Sequence, residues 1–210
     1  ALEIARQLAD AGATVESLSI VSSYALPQTI EDDVVLEYVF AKLLRLDTVT
    51  LGYPPDDVVG RVFPVLQDKG GRVGPDAIAD VAGEDREIVE LTFGALARVP
   101  QAERLGAIAR QVDEGLTTGI DSIYATFRHS MQAVSKHQPG AYLGDITFLR
   151  EEDEAAFFPW FRQNMTEMWE RVCLGDLKVV DVPGNHFSCL EPPHVQVVER
   201  VLAQARGAVS

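Results

Sequence analysis

The order of patterned segments along this chain predicts an α/β protein carrying a helical insertion. Three observations carry that prediction. A helix-patterned start runs through Gly12 straight into a β-branched run. Residues 30–116 hold one helix-patterned segment after another without a convincing strand. Two further strand-like runs, 141–149 and 177–182, alternate with helical patterns in the last part of the chain.

Taken in order, Leu2, Ala5, Leu8 and Ala9 fall on one helical face, and Gly12 is the residue type that ends helices in the left-handed conformation. Residues 14–22 gather Val15, Leu18, Ile20 and Val21 into a buried strand. Helix, glycine and strand make half of a βαβ unit. Thr29 and Asp32 have the spacing of a capping box, and the residues from Val34 to Leu44 form a broad apolar helix. Residues 56–68 read as a helix interrupted at Pro64. Gly70-Gly71 breaks the chain, Pro75 suits the first turn of a short helix over 77–82, and 84–98 and 101–114 complete the run. Ordinary connections have a median of ~4–6 residues, so 30–116 is expected to be an inserted helical cap. Residues 120–134 place Ile123, Phe127, Met131 and Val134 on one stripe, stopped by Pro139-Gly140. A second strand (141–149) is followed by the acidic run Glu151, Glu152, Asp153 and Glu154, a helical stretch near 157–168, a third strand (177–182) and a last helix (193–205). The expected division is core 1–29, cap 30–116, core 117–210.

Composition narrows the function classes. A chain of 210 residues that is 47% hydrophobic, with mean hydropathy +0.03, can bury a good core and is not of the disordered class. A formal charge of −14 with no basic stripe argues against a nucleic-acid partner. Cys173 and Cys189 make neither a disulfide framework nor a zinc site of usual spacing, which fits a reducing cytoplasm. No run reaches the about 18 apolar residues of a membrane span, and the opening residues do not read as a secretory leader. Helical rhythm already running at Ala1, without a capping residue ahead of it, reads as an entry part-way into a longer chain.

The stretch richest in chemistry lies late. The strand 177–182 is stopped by Pro183-Gly184, which delivers Asn185 and His186 on a tight loop before the closing helix. Strand, glycine turn, exposed histidine and helix suit a general base at the edge of an α/β sheet; the plainer alternative is a loop histidine without a chemical role. Asp145 reads as structural, His129, His137 and His194 as surface residues, and Cys189 as packing. The aromatic group Phe157, Phe158, Trp160, Phe161 and Trp169 reads as core or cap contact. Tyr38, Phe40 and Phe63 are candidates to line a channel in the cap.

Three stretches resemble the thioesterase domains of nonribosomal peptide and polyketide synthetases, members of the α/β-hydrolase superfamily. The first is the helix 1–8 with Gly12, similar to the helix that leaves the nucleophile elbow. The second is Tyr142-Leu143-Gly144-Asp145-Ile146-Thr147-Phe148-Leu149-Arg150, similar to the strand before the acid loop. The third is Gly184-Asn185-His186-Phe187, which resembles the family's histidine signature. The resemblance implies an α/β-hydrolase fold with a helical lid over 30–116. It also implies acyl transfer by a Ser-His-acid triad from the phosphopantetheine arm of a carrier protein, with no cofactor bound by the domain itself.

Two departures accompany the resemblance. No G-x-S-x-G occurs in the 210 residues, and the resemblance places the elbow immediately before Ala1, so this chain by itself is expected to be inactive. Where many of these domains carry the triad acid after the strand that follows the elbow helix, this chain reads Ile20-Val21-Ser22-Ser23, and Ser22 cannot be an acid. The superfamily's other acid position offers Glu151, Glu152 and Asp153; the resemblance favours Asp153, a few residues past the strand, with Glu152 next. The sites expected are therefore His186 as base and Asp153 as acid. The rival readings are a catalytically dead hydrolase-like binding module and a generic α/β-hydrolase esterase.

Overall fold

The computed structural model describes residues 1–23, 29–67, 72–75, 77–112, 119–137, 139–153 and 166–207. The Gly70-Gly71 break, the end of the cap at 113–116 and the aromatic group Phe157, Phe158, Trp160 and Phe161 lie outside the described residues. In chain order the elements are α1 (Leu2–Asp10), β1 (Ser19–Val21), β2 (Thr29–Ile30), α2 (Asp33–Leu43) and α3 (Asp56–Leu66). After β3 (Arg72–Val73) and a 3₁₀ turn (Ala77–Asp80) come α4 (Arg86–Leu91), α5 (Phe93–Ala97), α6 (Gln101–Gln111) and α7 (Ile120–Lys136). The chain closes with β4 (Ile146–Glu151), α8 (Glu167–Val172), β5 (Leu177–Val182) and α9 (Val195–Gly207).

Contacts divide these elements into two units. The first is α/β: α1 and β1, then β4 to α9. Its three strands are all parallel in the order β1-β4-β5, with β4 central. Alternation along β4 explains why both faces are covered. Ile146 and Phe148 point to a cluster with Ala5, Leu18, Ile20, Tyr142, Trp169 and Val172. Leu149 points the other way, to Val182, Cys189 and Val198 of α9. Gly12, at φ +81, ends α1 as expected. The predicted apolar face of α1 is only half used: Leu2 and Ala5 pack, whereas Leu8 is exposed.

Two strands differ from expectation in ways that matter for the site. β1 is shorter than 14–22, because its partner begins at Ile146 and ladder pairing runs only from Ser19 opposite Thr147. β4 starts later and ends later than 141–149. Tyr142 makes only an isolated bridge to Cys173, and the strand continues through Glu151, which pairs in register with Val182. Glu151 therefore belongs to the sheet and not to the acidic loop.

The second unit is mostly helical, running from β2 to α7. It is not strand-free: β2 and β3 form a two-stranded parallel pair. The start of α2 also differs. Thr29 lies in β2, and Asp32 is the cap itself, accepting from the backbone N–H groups of Val34 and Val35 at 2.9 and 3.0 Å. Burial nonetheless pushes the Asp32 carboxyl up to about 6, against the pull of those two bonds. α3 runs on through Pro64, which sits near its C-terminal end and forfeits only the bond to the Gly60 carbonyl. Thr92 breaks the expected helix 84–98 in two. α7 packs with α2, α6 and β2, so a helix expected in the core belongs to the helical unit. Its inner stripe is led by Ile120 and Tyr124, while Val134 is exposed.

Tyr38, Phe40 and Phe63 line no channel. All three are fully buried. Tyr38 stacks edge-on with Tyr53 and Phe93 and donates its hydroxyl to Asp56 at 2.7 Å, and Phe40 packs on Tyr124 and Phe127. Among the described residues no helix is long and apolar enough to cross a membrane.

Candidate active site

The carboxyl ends of the three parallel strands converge on one group of polar residues, as they do in open α/β sheets that bind ligands there. β1 ends at Val21, just before Ser22, β4 ends at Glu151, and β5 leads into the loop that carries His186.

The histidine loop is built from its own short residues. Gly184 sits at φ +89, and a Cβ there would lie 2.4 Å from His194 Nδ1 and 2.7 Å from Ser188 Oγ, so only glycine fits. Asn185 Oδ1 accepts from the backbone N–H groups of Phe187 (2.9 Å) and Ser188 (3.1 Å), and Ser188 Oγ accepts from the Asn185 N–H (3.0 Å). These bonds close a single turn over 186–190. The Cys189 side chain anchors the turn in the apolar cluster beneath it. His194 lies in contact with this loop, its Nδ1 3.2 Å from the Ser188 carbonyl, so it supports the loop and is not a free surface residue.

His186 is half-buried, and its Nδ1 lies 3.1 Å from the Ser22 carbonyl oxygen and 2.7 Å from Ser22 Oγ. A carbonyl only accepts, so the contact with it is a hydrogen bond when Nδ1 carries the hydrogen, and Nε2 then carries the lone pair. That is the tautomer a general base needs. Burial lowers the His186 pKa and the Ser22 carbonyl opposes the shift, which favours the neutral imidazole at neutral pH. Ser22 achieves this geometry at a cost. It is a non-glycine residue at φ +44, a left-handed conformation that side-chain-bearing residues adopt rarely, and strain of this kind collects at functional sites.

The acidic loop behaves differently from expectation. The backbone N–H groups of Glu152 and Asp153 donate to Val182 and Gly184 (2.9 and 3.1 Å), which ties the end of β4 to the histidine loop. The Asp153 side chain, however, is exposed and makes no hydrogen bond among the described residues; it does not hold His186 in this structure. The buried acid is Glu151, 4% exposed, on the same face of β4 as Leu149. Among the described residues neither of its oxygens has a hydrogen-bond partner. The Ser22 hydroxyl is close enough to favour its charged form, yet burial dominates and raises its pKa. Burial and the Glu151 charge likewise raise the Cys189 thiol, which stays protonated and is no nucleophile. Asp145 is structural, accepting from the Asp176 N–H at 2.8 Å. Among the described residues no group of three or more His, Cys, Asp or Glu could hold a metal ion.

Sequence reasoning missed Ser22 as the partner of His186 and ranked Glu151 behind its neighbours. The signal for Glu151 was present: it keeps the period-2 parity of Leu149 and stands before the first run of consecutive acidic side chains outside the strand.

A test of the electrostatics follows from the shifts. The Glu151 carboxyl is raised above its ordinary 4.5, so the folded chain binds that proton more tightly than the unfolded one. Its contribution to stability is complete below pH 4.5 and declines as pH rises through the folded-state value. His186 works in the opposite sense: its contribution is complete above its ordinary 6.5 and declines as pH falls through its lowered value. In denaturant titrations over roughly pH 4–8, Glu151→Gln is expected to remove the first decline.

The chain is similar to known synthetases. Over 191 residues, 90% of the chain, it is 32% identical to pyochelin synthetase PchF of Pseudomonas aeruginosa strain UCBPP-PA14, and equally so to PchF of strain PAO1. The chain spans 10% of the length of these curated relatives. Holo-AB3403, a four-domain nonribosomal peptide synthetase solved with AMP and glycine, matches 96% of the chain and 13% of its own at a TM-score of 0.50 and 16% identity. A Vlm2 thioesterase domain bound with a dodecadepsipeptide matches 97% of the chain and 60% of its own at 0.44 and 14%. No protein-family model matches the chain. The likeness to holo-AB3403 is one of fold.

Proposed function

We propose that the domain releases an acyl or peptidyl chain from the phosphopantetheine arm of a carrier protein by acyl transfer, with His186 as the general base. The observation that carries this reading is the bond from His186 Nδ1–H to the Ser22 carbonyl, which leaves the Nε2 lone pair to take a proton. In this reading Nε2 removes the proton of a serine hydroxyl, the alkoxide attacks the thioester carbonyl, and the C–S bond breaks as the imidazolium returns that proton to the departing sulfur, leaving the acyl-enzyme and a neutral histidine. Water or a nucleophile within the chain then attacks the ester, with Nε2 again taking the proton.

The attacking serine belongs, on this proposal, to sequence ahead of Ala1. The 210 residues contain no G-x-S-x-G, and α1 followed by β1 has the order of the helix and strand that come after an elbow. Ser22 is bonded to the histidine but does not fill the role. It is 5% exposed, and a carrier-borne thioester would not reach its hydroxyl. The carrier is proposed to be part of the same polypeptide, a reading supported by the likeness to synthetases and the short span of them that the chain matches.

The reading is tested by offering an acyl-loaded carrier to the isolated 210 residues and to the protein that contains them. The longer protein is expected to release the chain and the isolated residues to show no turnover above the uncatalysed rate. Measurable thioester hydrolysis by the isolated chain would contradict the placement of the serine. Binding of the loaded carrier by the longer protein without any release would favour a dead, binding-only module.

A further inference from the structure

Glu151 is a buried carboxylate that the reaction as described does not use, and it stands where an acid is wanted. It ends the central strand, 4% exposed, among Leu149, Val182, Cys189 and Val198. Neither of its oxygens has a hydrogen-bond partner among the described residues. An ionisable group held this way costs stability unless something pairs with its charge, and positions that carry such a cost are candidates for function. Beside it lies the Ser22 hydroxyl, which also touches His186 Nδ1 at 2.7 Å and whose backbone is held at φ +44.

We infer that Glu151 is the positioning acid of the site and acts on His186 through the hydroxyl of Ser22. This rests on His186 being the base of the reading above. In the resting site Nδ1–H donates to Ser22, and the Ser22 hydroxyl, once turned toward Glu151, donates to its carboxylate. When Nε2 takes the serine proton, the imidazolium keeps both ring hydrogens. Its positive charge is balanced by Glu151 across one hydroxyl, and no proton leaves the relay. The arrangement replaces a carboxylate directly after β1 with a serine there and a carboxylate on the neighbouring strand. Asp153 takes no part in it.

Among the described residues, the end of β1 contributes Ser22, β4 Glu151 and the histidine loop the Cys189 thiol, and Val182 of β5 stands opposite Glu151. The edge of Phe187 covers the imidazole at a centroid distance of 5.5 Å.

The experiment is an NMR titration of the His186 ring in the 210-residue chain, compared among wild type, Glu151→Gln, Ser22→Ala and Asp153→Asn. It needs no catalysis, so it stands or falls apart from the acyl-transfer reading. His186 is expected to titrate at lower pH in Glu151→Gln and in Ser22→Ala, and to be unmoved in Asp153→Asn. An unmoved His186 in Glu151→Gln, or a downward shift in Asp153→Asn, overturns the inference. Two further readouts separate positioning from structure. Glu151→Gln is expected to raise the melting temperature, since it relieves a buried unpaired charge, while lowering release by the longer protein roughly 10²-fold. That is less than the about 10⁴-fold cost of neutralising a directly bonded triad acid, because a hydroxyl intervenes. A variant that melts lower and still releases at the wild-type rate shows Glu151 to be structural and overturns the inference.

Discussion

Replacing His186 with alanine in the protein that contains this domain is expected to slow acyl release by roughly 10²–10⁴-fold, the range that general-base catalysis contributes. The loss should fall on the turnover rate and spare carrier binding, because His186 meets the reacting hydroxyl only as its proton leaves. Folding should be almost untouched. The ring is half-buried, its neutral form is favoured, and the loop is held by Asn185, Ser188 and Cys189 without it. His186→Gln is the sharper variant: an amide that donates to the Ser22 carbonyl preserves the loop contact but offers no basic nitrogen. Single-turnover release from a preloaded carrier measures the effect free of loading. A loss of binding with turnover intact would mean that His186 holds substrate and moves no proton.

Arg104→Met is expected to destabilise the chain by about 3–5 kcal/mol, the cost of stripping one partner from a buried ion pair. Glu37, in the middle of α2, is fully buried. Its two oxygens accept from Arg104 Nε at 2.6 Å and Nη2 at 2.9 Å, with Gln101 Nε2 adding a bond at 3.0 Å. The guanidinium also donates through Nη1 to the carbonyls of Leu96, at 3.1 Å, and Val99, so the pair ties α2, α6 and the end of α5 together. The Glu37 bond is the main reason the Arg104 pKa is raised further. Without the guanidinium the carboxylate keeps Gln101 alone. The double variant Arg104→Met with Glu37→Leu should recover most of the loss, since an apolar pair of similar volume often matches a buried ion pair. Denaturant midpoints of the single and double variants against wild type test this. A single variant within about 0.5 kcal/mol of wild type would show that the buried pair adds little to stability.

The parts of the fold legible in the sequence were those fixed by local chemistry. Gly12 marks the end of α1 by needing a positive φ, β5 occupies the predicted residues 177–182 between glycine-bearing turns, and Gly184 announces the histidine loop. What escaped was fixed by pairing across the chain. β2 and β3 are two residues each and owe their existence to one another, so no periodicity reveals them. Pro64 reads as a break because propensity speaks against it, yet the helix runs only two residues further and the surrounding core supplies the energy. Asp32 and Thr29 are both capping residues, and only the hydrogen bonds tell which one caps.

The site divides along the same line. His186 was legible because a strand, a turn and a histidine follow one another within a few residues. Its partner was not. Ser22 lies far away in sequence and was set aside because it cannot carry charge, although orienting a ring nitrogen needs only an acceptor. Asp153 was favoured from its distance past a strand whose end was placed at Leu149. With the strand ending at Glu151, Asp153 falls on an exposed bend and the buried position passes to Glu151. A shift of two residues in one boundary moved the candidate acid from surface to core.

The most direct test of the central claim is where the acyl chain stands after a single loading. Intact-mass analysis of the protein containing this domain, loaded once on its carrier and followed in time, reads the carrier and the thioesterase region separately. With His186→Ala the account predicts that the acyl mass stays on the phosphopantetheine arm, while the unaltered protein loses it to product. Passage of the chain off the arm at the unaltered rate in His186→Ala would contradict the assignment of His186 as the base.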